Sequence, residues 1–320
     1  NPQDPKNYER RAMIWMASGD KEHLMADYHA AIRLGSRNPM VYINRGIHLA
    51  TQGQYAQAVA DYDQAERLGI KQAYLYVNRG VAHFASNQYG KAISDFSTAI
   101  ELGEKTHSTY LHRASAYKQA GDEMKAIDDL NEAIRLEPDN PVGYHQRGLV
   151  WQAMDKFDQA IADFGEALRR DPKYIPAYSS RGFAWFLQDE PEKAIADFDK
   201  VLQLNPKSAV ACNNRGFNKQ LLGKYREALA DYDAAIKSAP DYILAWQNKA
   251  WLLATCPDDT IRSGKQAFDA ARKACELGEW KDWSDLKALA AAYAASSDFQ
   301  QAVKWQTKVL EMAPDDAEQE

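Results

Sequence analysis

The sequence predicts an all-α protein, a solenoid of about nine helix-turn-helix repeats. Three observations carry this prediction: a period of 34 residues, small residues at two fixed positions of that period, and aromatic residues at two others. A constant period of about 20 to 50 residues is typical of stacked repeat arrays. Six triplets show it: Asn44-Arg45-Gly46, Asn78-Arg79-Gly80, His112-Arg113-Ala114, Gln146-Arg147-Gly148, Ser180-Arg181-Gly182 and Asn214-Arg215-Gly216.

Small and large residues occupy complementary positions of the period. With position 1 at Pro39, position 8 is always glycine or alanine, and position 20 is alanine in every repeat except the first, which has Leu24. Small residues let two helices approach closely, and large residues elsewhere fill the space beside them. The large residues are Tyr8, Tyr42, Tyr76, Tyr110, Tyr144, Tyr178 and Trp246 at position 4, and Tyr28, Tyr62, Phe96, Phe164, Phe198 and Tyr232 at position 24.

The period also defines the domain organisation. Seven regular repeats cover residues 5–242, an irregular repeat covers 243–282, a last repeat covers 283–316, and an acidic tail covers 317–320. In the second repeat the pattern predicts helix A over 40–52 and helix B over 55–68, joined by Gly53-Gln54. The nine repeats start near Pro5, Pro39, Ala73, His107, Pro141, Ile175, Ala209, Ile243 and Trp283.

Two further features of the sequence are prolines at the ends of repeats and a longer connection in the eighth repeat. Prolines close several repeats, because proline cannot continue a helix: Pro138, Pro172, Pro206, Pro240 and Pro314. The eighth repeat has extra residues between Ala250 and Ala267, including Cys256-Pro257-Asp258-Asp259. We expect this loop to protrude between the helices of that repeat.

Arginine recurs at position 7 and aspartate at position 23 in the first seven repeats. The series are Arg11, Arg45, Arg79, Arg113, Arg147, Arg181 and Arg215, and Asp27, Asp61, Asp95, Asp129, Asp163, Asp197 and Asp231. Both are lost together in the last two repeats. We therefore expect a ladder of partly buried ion pairs between helices A and B, either within a repeat or to its neighbour. Its role is structural, because such pairs fix the register of similar helices.

Composition and motifs exclude several function classes. The 320 residues carry a net charge of −6, without the basic surface of nucleic-acid binders, and no apolar run approaches the roughly 20 residues of a membrane-spanning helix. No phosphate loop, HExxH, GxSxG or nucleotide fingerprint is present, and the seven histidines occupy unrelated repeat positions. We expect no enzyme activity, no cofactor, no metal, no nucleic-acid partner and no membrane span.

Three cysteines leave one question open. Cys256 and Cys275 fall on the two helices of the eighth repeat, so they either form a disulfide or, as we favour, pack in the core as thiols, like Cys212. The sequence starts at Asn1 without a methionine, so the compartment stays open between the cytoplasm and, after signal-peptide removal, the periplasm or another extracytoplasmic space.

The 34-residue pattern of small and large residues resembles the tetratricopeptide repeat (TPR) family over nearly the whole chain. This resemblance implies a right-handed superhelix whose A helices line a concave groove, and it implies a scaffold that binds a protein or peptide partner there. The last two repeats, with ATCPDD and KWQTKVLEMAP, are similar to C-terminal TPR segments of bacterial proteins. The oligomeric state is left open.

In such a groove, positions 2, 5, 6, 9, 12 and 13 would face the partner. An asparagine amide both donates and accepts, so a row of them can bind the backbone of an extended peptide; alternatively, these asparagines pack locally. Exposed aromatic residues mark partner sites, unless the irregular loop or the ninth repeat covers them. The predicted binding residues are Asn44, Asn78, Gln146, Asn214 and Asn248, with Phe183, Phe186, Phe217 and Trp251.

We expect Asn214, Asn248, Phe183, Phe186, Phe217 and Trp251 to form one contiguous patch. The groove lacks the lysine and arginine clamp with which some TPR proteins bind chaperone tails, since position 2 has no lysine and position 6 has no arginine except Arg10. Two other functions stay open: a regulatory or substrate-recruiting region of a larger enzyme, and a self-associating structural protein.

Overall fold

The computed structural model describes residues 3–312, and this part of the chain consists of eighteen α-helices in A and B alternation. The A helices are α1 (Pro5–Ser18), α3 (Pro39–Thr51), α5 (Ala73–Ala85), α7 (His107–Gln119), α9 (Pro141–Ala153), α11 (Ile175–Leu187), α13 (Ala209–Leu221), α15 (Ile243–Thr255) and α17 (Trp283–Ala295). The B helices are α2 (Lys21–Arg33), α4 (Tyr55–Arg67), α6 (Tyr89–Glu101), α8 (Glu123–Leu136), α10 (Phe157–Arg170), α12 (Pro191–Leu204), α14 (Tyr225–Ser238), α16 (Gly264–Leu277) and α18 (Phe299–Met312).

The helices follow the period of the sequence. Each of the nine A helices begins at the residue that the period indicates, and the helices of the second repeat, α3 and α4, differ from their predicted ranges by one residue. Helices α8, α10, α12 and α14 each end two residues before a proline. Pro314 and the tail over 317–320 lie outside the described residues.

The helices group into two compact units, with the first ending at Val150 and the second beginning at Trp151. Within each unit, helices pack against their sequence neighbours, and A helices also contact the next A helix: α3 with α5 and α5 with α7 in the first unit, α13 with α15 and α15 with α17 in the second. None of the described helices has the length and apolarity needed to cross a bilayer.

Close approach explains the small residues at position 8. A Cβ atom added to Gly46 would lie 2.8 Å from Tyr62 Cε1, and one added to Gly80 would lie 2.8 Å from Phe96 Cε1. Both distances are far inside van der Waals contact, and Tyr62 and Phe96 are fully buried. Position 24 of helix B therefore packs face-on against position 8 of helix A, as the sequence predicts.

The Arg–Asp ladder is confirmed within repeats. In six of them the guanidinium of helix A donates to both carboxylate oxygens of helix B, as Arg45 does to Asp61 at 2.7 and 2.6 Å. The other five arginines, with their aspartates, are Arg11 and Asp27, Arg79 and Asp95, Arg113 and Asp129, Arg181 and Asp197, and Arg215 and Asp231. Arg147 and Asp163 belong to different units, and their pairing stays a prediction.

The ladder also reaches the preceding repeat. Both alternatives that the sequence left open therefore occur, since arginines bond within their own repeat and to its neighbour. The remaining guanidinium nitrogen, Nη1, donates to position 25 of the helix B before it: Arg79 to Asp63 at 2.7 Å and Arg215 to Asp199 at 2.6 Å. Ser97 and Asn131 accept in the same way from Arg113 and Arg147. One arginine therefore joins two repeats, and at Gly165 this second acceptor is missing for Arg181.

The loop of the eighth repeat is exposed at its tip, at Pro257, Asp259 and Thr260, as expected for a protruding loop, but its ends turn inward. Cys256 is 1% exposed and Ile261 is also buried, so both ends of the loop pack in the core of repeats seven to nine. Ser263 N donates to Leu253 O at 2.9 Å and Arg262 donates to Cys256 O at 3.0 Å, which folds the loop back on α15. Burial of the apolar side chains at the loop ends stabilises this conformation relative to one in which the whole loop is exposed to solvent.

The cysteines are free thiols. Cys212, Cys256 and Cys275 are all buried, and Cys256 and Cys275 pack in the same apolar cluster. Burial raises the pKa of the Cys275 thiol to about 12. A thiol so far from ionisation is a core side chain and not a nucleophile, in agreement with the packing interpretation.

Candidate functional site

A cleft of about 220 Å³ lies in the second unit, between α11, α13 and α15, above α12. We call it the amide–phenylalanine cleft. Four phenylalanines and four asparagines form its lining, and it contains no charged side chain. Its lining residues are Phe183, Phe186, Phe198, Asn213, Asn214, Phe217, Asn218 and Asn248.

The phenylalanines form its apolar wall. The ring centroids of Phe183 and Phe186 are 6.0 Å apart, and those of Phe186 and Phe217 are 5.5 Å apart with the rings edge to face. Phe183 is 42% exposed, whereas Phe198 from α12 is buried and forms the floor. Positions 9 and 12 of consecutive A helices meet here because they lie on one helix face and the repeat places the next A helix alongside.

The asparagines form a chain of amide hydrogen bonds across two helices. Asn248 Nδ2 on α15 donates to Asn213 Oδ1 at 2.9 Å, and Asn213 Nδ2 donates to the neighbouring Asn214 Oδ1 at 3.3 Å on α13. This chain leaves the Nδ2 group of Asn214 as a donor at one end and the Oδ1 atom of Asn248 as an acceptor at the other. A peptide backbone offers the complementary carbonyl oxygen and N–H group.

A fourth asparagine carries an unsatisfied acceptor at the cleft. Asn218 is 2% exposed, and its Nδ2 group donates to Asn214 O at 2.8 Å. Its Oδ1 atom is buried and has no hydrogen-bond partner within the described part of the chain. An unpaired buried amide oxygen costs about 1 to 3 kcal/mol of folding stability.

Trp251 lies in a different place from the one predicted. It does not line the amide–phenylalanine cleft; it lines a second pocket of about 370 Å³, between α15, α17 and α18. The ninth repeat covers part of the indole and leaves it 37% exposed. Trp251 therefore lines a separate pocket, one helical turn beyond Asn248 on α15.

The remaining predicted residues lie in the first unit. Asn44 lines a cleft of about 340 Å³ with Met13, Met16 and Met40, and it hydrogen-bonds the hydroxyl of Tyr28. Asn78 Nδ2 donates to Tyr74 O at 2.8 Å within its own helix, which is the local packing role. Gln146 is half-buried on α9. The asparagines of position 6 therefore do not form one ladder.

Three residues of the cleft were missed by sequence reasoning: Phe198, Asn213 and Asn218. Phe198 was assigned to packing at position 24. Asn218 occupies position 10, where most repeats have alanine, valine or leucine, so a search for polar residues at apolar positions would have found it. Asn213 occupies position 5, which is polar in most repeats, so no break in the pattern marks it.

Other kinds of site are not found in the described residues. No group of three or more histidine, cysteine, aspartate or glutamate side chains there could hold a metal ion. His107 Nδ1 is hydrogen-bonded to Ala133 O at 2.9 Å, and the ring of His112 stacks on Phe96 with centroids 5.6 Å apart. These two histidines have separate packing roles.

Family models for the tetratricopeptide repeat match residues 26–73, 73–105, 107–140, 143–174, 175–208 and 209–242. Together they cover well over half of the chain. The protein belongs to the TPR family. A search of curated protein sequences gave no significant match.

Solved TPR structures share the fold of this TPR protein. The C-terminal part of a TPR repeat-containing protein from Cytophaga hutchinsonii has a TM-score of 0.63 and 19% identity, covering 77% of this chain and 99% of that one. A TPR protein from Parabacteroides merdae has a TM-score of 0.59 and 18% identity, covering 77% and 97%. Yeast Tom70 has a TM-score of 0.53 and 16% identity, covering 97% and 85%. The chain is thus an α-helical repeat scaffold for protein interactions.

Proposed function

We propose that this TPR protein is a non-catalytic scaffold that binds an extended segment of a partner protein, with the amide–phenylalanine cleft as its principal anchor site. The observation that carries the proposal is the coexistence of an uncharged aromatic wall with unused amide donor and acceptor atoms. The wall can bury an apolar side chain, and the amides can bind the backbone beside it.

The size and charge of the cleft support a peptide occupant. Ligand sites for whole cofactors usually enclose about 300 to 1,000 Å³, so a cleft of about 220 Å³ suits a single large side chain. The absence of charged lining residues favours an uncharged side chain, since a buried charge without a partner is costly. A phenylalanine, leucine or methionine of the partner meets both conditions.

The proposal is tested with peptides selected from a random 12-residue display library on the parent protein. We expect Phe183→Ala and Phe217→Ala each to weaken binding of the selected peptides about thirtyfold, which corresponds to roughly 2 kcal/mol for a true anchor. Phe299→Ala is the matched control, because Phe299 is 65% exposed on α18 and lies outside the cleft. Kd values from fluorescence anisotropy give the comparison.

Two measurements keep the test decisive. Circular dichroism of each variant must show parental helicity and melting, which the partial exposure of Phe183 and Phe217 favours. Unchanged affinity in both cleft variants, with loss in Phe299→Ala, would move the binding site to the B helices and contradict the proposal.

A further inference from the structure

The second pocket, beside Trp251, contains a lysine without a carboxylate partner. Lys287 lies on α17, and its ammonium is 5.5 Å from the ring centroid of Trp251 and 5.7 Å from that of Trp283. Lys287 is half-buried, and it forms no ion pair among the described residues. By contrast, Lys219 and Lys249 on α13 and α15 are paired with Asp231 and Asp233.

The surroundings of this ammonium are otherwise apolar. The pocket is lined by Ala290, Ala291, Ala294, Ala302 and Val303, together with Gln306, Trp251 and Lys287 itself. The aromatic rings hold the cation in place, and the partly dry setting strengthens its attraction for an anion relative to an exposed lysine. The pocket thus has one positive charge, no negative one, and room for a side chain.

The two sites are close enough for one segment to reach both. Asn248 of the cleft and Trp251 of the second pocket are three residues apart on α15, and so share one face of that helix. Neighbouring packed helices have axes about 8 to 10 Å apart, and an extended chain rises about 3.3 Å per residue. The phenylalanine wall lies on α11 and α13, and Lys287 lies on α17, two A helices beyond α13. An extended segment that joins the two sites therefore advances about five or six residues.

We propose that the partner segment carries an acidic side chain about five or six residues from its apolar anchor, and that this carboxylate pairs with Lys287 while the anchor fills the amide–phenylalanine cleft. This inference rests on the proposed function of the cleft. The recognition is by one cation held between two indole rings. Small residues line the floor of the pocket, so the chain can continue over α17, which favours a side-chain carboxylate over a chain end.

The probes are synthetic 11-residue peptides, acetylated and amidated, with one phenylalanine in a Gly/Ser/Gln background. Glutamate or glutamine is placed about five or six residues before or after the phenylalanine. In the better order, and at low ionic strength, we expect the glutamate peptide to bind the parent about threefold to tenfold more tightly than the glutamine peptide. Lys287→Gln should abolish that difference. The Lys287→Glu variant should bind a peptide with lysine at the same place more tightly than the glutamate peptide.

Lys304→Gln is the matched control, because Lys304 also lies over an indole, 5.9 Å from the Trp305 ring, but outside the pocket. It should keep the glutamate preference. Equal affinity of glutamate and glutamine peptides for the parent would overturn this inference alone, provided that Phe217→Ala weakens both.

Two further outcomes separate the hypotheses. Binding that does not depend on Phe217 in any peptide would overturn the proposed function and this inference with it. A glutamine peptide whose C-terminus is a free carboxylate at the same place is compared with the glutamate peptide. If the peptide with the free C-terminus binds more tightly, Lys287 selects a chain end, and the assignment to an acidic side chain is overturned.

Discussion

The same repeat positions form a cleft in each unit, and the two clefts differ in their chemistry. In the first unit, Met13 and Met16 occupy the places that Phe183 and Phe186 occupy in the second. Tyr28 and Asn44 in the first unit correspond likewise to Phe198 and Asn214 in the second.

One hydroxyl group accounts for the main difference. The Tyr28 hydroxyl engages the amide of Asn44, whereas Phe198 has no hydroxyl and leaves the Nδ2 group of Asn214 unused. The first cleft also has the charged residues Glu9 and Arg10 in its wall. An identical backbone scaffold thus holds one satisfied cleft with flexible methionines and one rigid aromatic cleft with amide groups to spare. The difference teaches that binding capacity depends on which polar atoms the repeat leaves unpaired.

The largest expected effect concerns the ladder, in which Arg79 of the first unit has further carboxylate acceptors and Arg181 of the second unit has none among the described residues. Asp197→Ala removes both carboxylate contacts of Arg181 and leaves this half-buried guanidinium without a carboxylate. Asp95→Ala leaves Arg79 paired with Asp63 and Glu66. We expect Asp197→Ala to lower the free energy of unfolding by about 3 kcal/mol and Asp95→Ala to lower it clearly less. Urea unfolding followed by circular dichroism gives both values.

Equal losses of unfolding free energy in the two variants would show that the further acceptors of Arg79, Asp63 and Glu66, do not compensate for the missing aspartate. Asp197→Asn serves as the conservative control, because an asparagine keeps one acceptor for Arg181 while removing the negative charge.

The next effect is a response to pH of opposite sign in the two units. Burial lowers the pKa of His83 and His112 below the ordinary value of 6.5, and lowers the pKa of His145 to about 4. All three lie in the first unit, and their unfolded forms take up protons first as the pH falls. Acidification from pH 7 to 5 should therefore destabilise the first unit, by about 2 kcal/mol through His145 alone.

The second unit contains the opposite case. Asp285 is fully buried, and burial raises its pKa; its Oδ1 atom accepts from Gln247, while its Oδ2 atom has no partner among the described residues. Because the folded form binds the proton more tightly, acidification through the raised pKa adds stability here. Asp285→Asn should stabilise the second unit at pH 7 and remove this pH response.

Hydrogen exchange followed by mass spectrometry, corrected for intrinsic rates, measures both units in one experiment. Protection of α5 to α8 should fall between pH 7 and 5, and protection of α15 to α17 should rise. Parallel changes in the two regions would contradict the assignment of charge states at His145 and Asp285.

The smallest effect tests the comparison of the clefts directly. Phe198→Tyr introduces the hydroxyl that the first cleft has, and we expect it to engage the Asn214 amide as Tyr28 engages Asn44. Peptide affinity should fall about tenfold, or roughly 1.4 kcal/mol, without loss of stability. Tyr28→Phe is the matched control in the first unit, and it should leave affinity for the second cleft unchanged. A Phe198→Tyr variant with parental affinity would show that the Asn214 amide is not used.

The fold was predictable from the sequence because the period repeats every packing constraint many times. Gly46 and Tyr62 recur as a pair in repeat after repeat, so the register of helices A and B is set before any contact is known. The six ladder pairs were predictable for the same reason. Local departures were less accessible: the sequence does not show that Cys256 and Ile261 turn inward and pull the irregular loop onto the core.

The candidate site was predictable only in part. Phe183, Phe186, Phe217, Asn214 and Asn248 follow from one helix face and one period, and the structure brings them together. Trp251 follows from the same rule, but the ninth repeat draws it into a separate pocket with Lys287. Asn213 and Asn218 do not follow from this rule, because they lie at positions 5 and 10, whereas the predicted binding residues were taken from positions 6, 9 and 12. A repeat pattern predicts scaffold residues well, and function resides where single residues depart from it.

The missing acceptor at Gly165 has a consequence for how the array opens. In a linear stack of repeats, stability is the sum of internal terms and nearest-neighbour couplings, so the weakest coupling sets where cooperativity breaks. Arg181 bonds only its own repeat, so the junction of α10 with α11 lacks the arginine bridge that joins α12 to α13. A hydrogen bond from Gln188 Nε2 to Asp158 Oδ1 at 2.8 Å links these two repeats instead. Opening that starts N-terminal to this junction should stop there. The helices that line the amide–phenylalanine cleft all lie on its far side, so they can stay folded, with their ligand, while repeats before them fray.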